Sequence, residues 1–185
     1  MADADDLMAL PNHQIEMRAR RLKLLLLDVD GVLTDGRIVL SGEGDEAKAF
    51  SIRDGSGIVW AQRTGLTVGL LTGRPSVATT RRAAELGIEL VAQGDPGKGE
   101  AFEQILKSRG LMDAEVAYMG DDLIDLPVLR RVGVSASPAD AAEEVKATVH
   151  WVSRHNGGQG AVREFVELLL KSRGRWDALV RSLST

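Results

Sequence analysis

The sequence predicts an α/β protein: a parallel sheet flanked by helices, with a small β-hairpin inserted after the first strand. Three observations predict it. Apolar runs such as "LLLL" at 24–27 are continuous rather than alternating, the pattern of a strand covered on both faces. From Leu66 onward strand-like and helix-like segments alternate, which implies parallel strands joined by right-handed crossovers. Between these regions "GRIVLSGEGDEAKAFSI" reads as two extended pieces around "SGEGDE", a glycine-rich acidic turn.

Taken in order, residues 1–20 are polar, lack a strong period and form a loose arm or a short helix. "KLLLLD" is the first strand, and the hairpin occupies about 37–52. "DGSGIVWAQRTG" has an N-cap aspartate, helical apolar spacing and a closing glycine, so it is a short helix. "LTVGLLTG" is a strand and "RPSVATTRRAAELG" a helix stopped by Gly87. "IELVAQG" is a strand and "GEAFEQILKSRG" a helix ending at Gly110. "AEVAYMGDD" is a strand, "LIDLPVLRRVG" a short helix and "VSAS" a short strand. "PADAAEEVKATV" opens with proline at a helix N-terminus, "HWVS" is a last strand, and "GAVREFVELLLKSRG" a long amphipathic helix. No linker or repeat divides the chain, so 21–173 is one domain, with 174–185 a C-terminal tail.

Composition narrows the function. The 185 residues are 44% apolar and 27% charged, with a net charge of −4, so no basic field exists to hold nucleic acid or an anionic membrane. With no cysteine, disulfides, thiolate metal sites and cysteine nucleophiles are excluded. No apolar run approaches the ~20 residues of a membrane span, and "MADADDLMALPNHQIEMRAR" has acids where a signal peptide needs bases. A cytoplasmic enzyme or binding protein is expected.

In open parallel sheets, ligands bind beyond the carboxyl ends of the strands. Asp28 and Asp30 end the first strand, and Thr72 with Gly73 the next. "QGDPGKG", with Lys98, follows the third, and "GDDLID", with Asp121, Asp122 and Asp125, the fourth. One crevice thus collects carboxylates, a lysine and a threonine. A strand-end carboxylate such as Asp28 can attack phosphorus to form an aspartyl phosphate. Its repulsion from a phosphate calls for a divalent cation, and magnesium suits carboxylates from Asp28 and Asp121. Asp30, two residues on, points to the same side and can serve the leaving oxygen as general acid and then deprotonate water. Thr72 and Lys98 can hold the phosphoryl oxygens, and Gly31 lets the backbone approach the phosphate.

"DVDGVLT", the threonine of "LTGR", the isolated lysine and "GDDLID" resemble, in order and spacing, the four motifs of the haloacid dehalogenase superfamily phosphatases, over roughly 22–170. The resemblance implies a Rossmann-like parallel sheet. It makes Asp28 the nucleophile and Asp30 the general acid/base, with the Asp30 main-chain carbonyl also on the metal. Thr72 and Lys98 then bind phosphate, Asp121 binds Mg2+, and Asp122 and Asp125 support metal and lysine from behind. The gaps between motifs hold only the hairpin, short helices and a strand, so no cap domain fits. An open site takes a large substrate or is closed by a neighbouring subunit, and exposed hairpin edges invite pairing; an oligomer in which hairpins meet is expected.

Within that superfamily, "DVDGVLTDG", "KAFSIRDGSGI", "LLTGR", "GDDLIDLPVL" and "GGQGAVRE" resemble the uncapped, magnesium-dependent, tetrameric 3-deoxy-D-manno-octulosonate 8-phosphate (KDO 8-phosphate) phosphatases of lipopolysaccharide synthesis. The resemblance implies substrate contacts from Ser51, Ile52, Arg53, Asp54 and Gly55, and from Arg74 and Arg82, with "GGQGAVRE" closing over a neighbour's site. Guanidinium groups suit a sugar-acid carboxylate, which they can grip at two points. One departure is Val59 followed by Trp60, where the family often has arginine. The related nonulosonate 9-phosphate phosphatases have an apolar residue and tryptophan there, but usually lack the arginines seen at Arg53 and Arg74. The eight-carbon substrate is therefore favoured over the nine-carbon one.

Other readings of these residues fit less well. A non-catalytic oligomerisation module would have lost a motif acid, and none is lost. A phospho-acceptor signalling domain would not need Asp30. "GDPGKG" lacks the hydroxyl residue that a P-loop places after its lysine. His13, His150 and His155 show no metal-ligand spacing. Trp60, Trp151 and Trp176 are expected in packing, Thr72 as a possible cap of the following helix, and Arg163 facing solvent.

Overall fold

The structure is a computed structural model that describes residues 12–40, 42, 46–94 and 97–184. Most of the expected N-terminal arm, the hairpin-turn residues Ser41, Glu43, Gly44 and Asp45, and the pair Asp95–Pro96 lie outside the described residues.

Helix α1 (Asn12–Ala19) leads into β1 (Leu24–Leu27). The short strands β2 (Val39–Leu40) and β3 (Glu46–Ala47) pair antiparallel, Val39 opposite Ala47 and Leu40 opposite Glu46, as the expected hairpin. Then come α2 (Ile52–Arg63), β4 (Thr67–Thr72), α3 (Val77–Glu85), β5 (Leu90–Gln93) and α4 (Lys98–Arg109). The remainder comprises β6 (Val116–Met119), α5 (Leu126–Leu129), β7 (Val134–Ser137), α6 (Glu143–Lys146), β8 (Trp151–Val152), α7 (Ala161–Ser172) and α8 (Trp176–Leu183). Among the described residues, the main sheet has six parallel strands in the order β5-β4-β1-β6-β7-β8. The chain runs outward from β1 through β4 to β5, then returns to β1's other side with β6. The order reverses between β1 and β6, where such sheets open a crevice.

Alternate residues of each strand feed opposite layers. Leu25, Leu27, Ala117 and Met119 pack under α1, α2, α7 and α8. Leu24, Leu26, Val116 and Tyr118 pack under α4, α5 and α6. Fully burying one leucine contributes roughly 1.5–3 kcal/mol, so the four leucines of β1 anchor both cores at the strand that carries Asp28.

Four expectations need correction. The N-cap of α2 is Ser51, whose hydroxyl accepts from the Asp54 amide at 3.3 Å; Asp54 lies one turn inside. Its carboxylate instead accepts the amides of Gly160 (3.1 Å) and Arg163 (2.7 Å), capping α7, whose own N-cap is a glycine without a side-chain acceptor. Pro138 does not start a helix: α6 begins at Glu143, because residues 138–142 turn back and the Ala142 amide bonds the Asp121 carbonyl at 2.9 Å. Ser76, not Thr72, caps α3. The three tryptophans pack as expected: Trp60 lies edge-on to Trp176 at 6.0 Å and Trp151 stacks on Phe165 at 5.6 Å. Arg163 does not simply face solvent, since its guanidinium covers Trp60 at 3.8 Å and pairs with Glu167. Buried His150 accepts the Ser135 amide at Nδ1, a packing role.

Candidate active site

Beyond the carboxyl ends of β1, β4 and β6 opens a crevice of about 390 Å3, lined by Asp28, Asp30, Thr72, Arg74, Lys98, Asp121 and Asp122 among others. The members sit at the end of a strand or helix or in the loop just beyond it. The Asp28 amide bonds Met119 O at 3.0 Å, which locks the end of β1 to β6. The chain then coils tightly: the amides of Val32, Leu33 and Thr34 all reach Val29 O, and Thr34 Oγ1 accepts from the Gly31 and Gly36 amides. Thr72 ends β4, and its hydroxyl accepts the Arg74 amide at 3.4 Å. Lys98 is the first residue of α4 rather than a loop residue.

Lys98 is 1% exposed and bridges two carboxylates, Asp28 Oδ2 at 2.9 Å and Asp125 Oδ1 at 2.5 Å. Burial alone would lower its pKa, but the two carboxylates outweigh that and the net shift is upward, so it stays an ammonium. Asp125 is completely buried. Its Oδ1 also accepts from Tyr118 OH at 2.5 Å, and its Oδ2 accepts the amides of Asp121 (2.9 Å) and Asp122 (3.1 Å). Both oxygens are therefore committed, and Asp125 orients the lysine and the Asp121–Asp122 turn. Burial, followed by the charges of Asp125 and Asp28, pushes the Tyr118 phenol well above its usual range, which keeps it a donor.

Asp28 and Asp121 are less well compensated. Burial raises Asp28 to about 6, Lys98 opposing and Asp125 adding to the shift. Burial, then the charges of Asp28 and Asp125, raise Asp121 to about 8. Asp121 Oδ1 is buried without a hydrogen-bond partner, and oxygens of Asp28, Asp121 and Asp125 lie within 4.8 Å of one another. An orphaned carboxylate oxygen in an excess of negative charge fits a hard divalent cation, which Asp28 and Asp121 could hold, while both oxygens of Asp125 already accept hydrogen bonds.

Packing gives Gly31 a further reason to be glycine. It has φ +86°, and a Cβ there would sit 2.0 Å from Asp121 Oδ2. The glycines of "GGQG" serve the same loop. A Cβ on Gly157 would sit 1.8 Å from Gly31 O, and the Gly158 amide bonds Val32 O at 2.9 Å.

The structure thus brings together Asp28, Asp30, Thr72, Arg74, Lys98, Asp121 and Asp122, with Asp125 behind them; Asp122 also caps the turn through the Leu123 amide. Other expected contacts lie outside this chain's crevice lining. Ser51 caps α2, Ile52 is 83% exposed, and Asp54 is buried against α7. Arg53 lines a second cavity of about 410 Å3 with Arg154 and Arg163. Arg82 pairs with Glu85, donates to Ser51 O at 3.3 Å and lies against Gly55, where a Cβ would be 2.3 Å from its Nη2. Sequence reasoning missed three residues: Tyr118, and from the hairpin Glu46 and Lys48. Glu46 accepts from Arg74 and Ser76, and Lys48 bonds both Asp30 oxygens. A tyrosine inside an apolar strand gives no signal of its own. A lysine after an acidic turn reads as solvated.

Comparison with known proteins agrees with this geometry. A family model described as haloacid dehalogenase-like hydrolase matches residues 91–165. The 3-deoxy-D-manno-octulosonate 8-phosphate phosphatase KdsC of Escherichia coli is 44% identical over 160 residues, covering 86% of this chain and 85% of that protein. The Moraxella catarrhalis 3-deoxy-D-manno-octulosonate 8-phosphate phosphatase, solved with magnesium, phosphate and KDO, superposes with a TM-score of 0.90 at 38% identity, covering 92% of this chain and 98% of that one. A cobalt-bound deoxy-D-mannose-octulosonate 8-phosphate phosphatase from Haemophilus influenzae gives 0.82 at 38% identity, covering 85% and 92%. Three strand ends and the start of α4 converge on one crevice, and 44% identity extends over 86% of the chain, so the chain belongs to the haloacid dehalogenase-like hydrolases, in the branch of the 3-deoxy-D-manno-octulosonate 8-phosphate phosphatases.

Proposed function

We propose that this chain hydrolyses 3-deoxy-D-manno-octulosonate 8-phosphate through an aspartyl phosphate on Asp28, releasing the sugar acid for lipopolysaccharide synthesis. The carrying observation is Lys98, buried between Asp28 and Asp125 at the sheet's switch point, with Thr72 and Asp121 beside it. In the first step an Asp28 oxygen bonds to phosphorus while the bond to the sugar oxygen breaks, and Asp30 gives that oxygen its proton. In the second, Asp30 takes a proton from water, the water oxygen bonds to phosphorus, and Asp28 leaves with its electron pair. Thr72 and Lys98 hold the phosphoryl oxygens throughout. Mg2+ held by Asp28 and Asp121, backed by Asp122 and Asp125, would supply the positive charge that lets an anionic nucleophile meet a phosphate.

Substrate selection rests on arginine. Arg74 borders this crevice. Ser51, Ile52, Arg53, Asp54, Gly55 and Arg82 act together with a neighbouring subunit, in a homo-oligomer built around the hairpins as a tetramer. Val39 (64% exposed), Leu40 (69%) and Ile52 (83%) support that assembly, being large apolar groups left in water on the hairpin and at the start of α2. Trp60, which suggested a nine-carbon substrate, is taken up in packing with Trp176 and Arg163. Among the described residues no helix is long and apolar enough to cross a membrane, in keeping with work in the cytoplasm.

Phosphate release from the eight-carbon ester and its nine-carbon analogue, with magnesium and with chelator, tests the reading. A strong magnesium-dependent preference for the first is expected. Preference for the second overturns the substrate, and release from neither overturns the reaction.

A further inference from the structure

Lys48 lies just past β3, at the head of "KAFSIRDGSGI", and belongs to none of the four motifs whose residues line the crevice. Its Nζ sits 2.6 Å from Asp30 Oδ1 and 2.8 Å from Asp30 Oδ2. None of its side chain is exposed. That is unusual for an ammonium, because removal from water costs several kcal/mol unless good partners replace it. The third direction of the ammonium faces Glu46 Oε1 at 3.5 Å. Glu46 in turn accepts from Ser76 Oγ at 2.8 Å and from Arg74 Nη2 at 2.5 Å, both in the loop after β4. A chain of charges therefore runs from the loop after β1, through the buried Lys48 of the hairpin, to the half-exposed Arg74 in the loop after β4.

Asp30 needs such a holder. It sits beyond the rigid end of β1, and its carboxylate turns about a broad, roughly two-fold torsion. Among the described residues Lys48 is the partner of both its oxygens, whereas Asp28 and Asp125 are each fixed by Lys98. A lysine that only pinned the hairpin could bond any backbone carbonyl. This one grips the single carboxylate that must face the leaving oxygen.

We propose that Lys48 is a positioning residue: it fixes the plane of the Asp30 carboxylate so that proton delivery to the sugar oxygen is aligned, which makes the hairpin part of the catalytic machinery. The inference rests on the acid role given to Asp30 above. Misplacing a reacting group by about 1 Å costs roughly 10²-fold, and general acid catalysis contributes about 10²–10⁴-fold.

The test measures kcat/KM, which reports steps up to phosphoryl transfer, on two esters. 3-Deoxy-D-manno-octulosonate 8-phosphate has an alkyl leaving group that needs a proton. p-Nitrophenyl phosphate has one that does not. Lys48→Met should lose about 10²-fold on the alkyl ester but less than about 10-fold on the aryl ester, with inhibition by inorganic phosphate unchanged, and Lys48→Arg should recover most of the loss. Equal losses on both esters, or a weakened phosphate Ki that accounts for them, would overturn the proposal. Asp30→Asn, run in parallel, separates the two claims. If it hits both esters alike, the acid role fails; if it is ester-selective and Lys48→Met is not, only the positioning claim fails. Should Lys48→Met not fold, Lys48→Gln reads the same ratio.

Discussion

Asp125→Ala removes a carboxylate that no water reaches and that four donors share. Three consequences follow from the distances. Lys98 loses its 2.5 Å partner and keeps Asp28 at 2.9 Å and the Tyr118 hydroxyl at 3.3 Å. Tyr118 OH loses its acceptor at 2.5 Å. The amides of Asp121 and Asp122 lose theirs at 2.9 and 3.1 Å. Breaking a buried ion pair from one side costs about 3–5 kcal/mol, and each buried donor left unmet about 1–3 kcal/mol. Asp28 still neutralises Lys98, and water from the crevice can reach the two amides, so the expected net loss is about 3–5 kcal/mol. For a chain of this size that is a fall in Tm of roughly 6–20 °C. Asp125→Asn should lose nearly as much, because one face of the amide must turn hydrogens toward donors. Thermal and urea unfolding followed by circular dichroism measure the loss, and phosphate release below the transition measures the displaced lysine. A loss under about 1 kcal/mol, with metal affinity alone reduced, would refute the reasoning and make Asp125 a metal ligand instead.

Asp28→Asn should abolish phosphate release and leave the unfolding transition in place; substantial remaining turnover removes Asp28 as nucleophile. In metal-free protein, Asp28 and Asp121 have folded pKa values of about 6 and about 8, above their usual 3.8. Their contribution to stability is therefore fully present below about pH 4 and lost as pH rises toward 8. Divalent metal needs both ionised, so the rise in Tm on adding magnesium should grow from pH 5.5 to 8.5 and flatten in Asp121→Asn; a pH-independent rise in the unsubstituted protein refutes this. Gly31→Ala must move the Asp121 carboxylate and adopt φ +86°, so activity should drop by roughly 10²-fold or more, and near-normal kcat would contradict the packing. Asp54→Ala uncaps α7 and should cost about 1–2 kcal/mol in urea unfolding, whereas an unchanged midpoint would make the cap immaterial.

Much of the fold was legible in the sequence because its signals are local. A run of four leucines marks a doubly covered strand, and Gly87 and Gly110 stop helices by their left-handed backbone, at φ +68° and +61°. The main acids were legible too, since order and strand-end placement gather Asp28, Asp30, Thr72, Lys98 and Asp121 without knowledge of packing. What escaped depends on partners distant in sequence. Asp54 sits where a local N-cap is expected, yet its acceptors are used by amides at 160 and 163. Lys48 looks like any hairpin lysine until the hairpin folds over Asp30, and Tyr118 until Lys98 and Asp125 converge beneath it. Periodicity shows which residues are buried, but not which remote group waits to receive them.

The contact of Gly157 and Gly158 with the loop at Gly31–Thr34 carries a consequence for how the protein is made. A growing chain that has passed Asp125 already contains every candidate nucleophile, acid, phosphate holder and metal ligand. It still lacks the backbone that buttresses the loop after Asp28, and the helix that Asp54 caps. Contacts between segments so far apart in sequence close late. Activity should therefore switch on only when the last portion of the chain has been synthesised and folded back. A truncation just before Asn156 should keep all of the chemistry and none of the turnover.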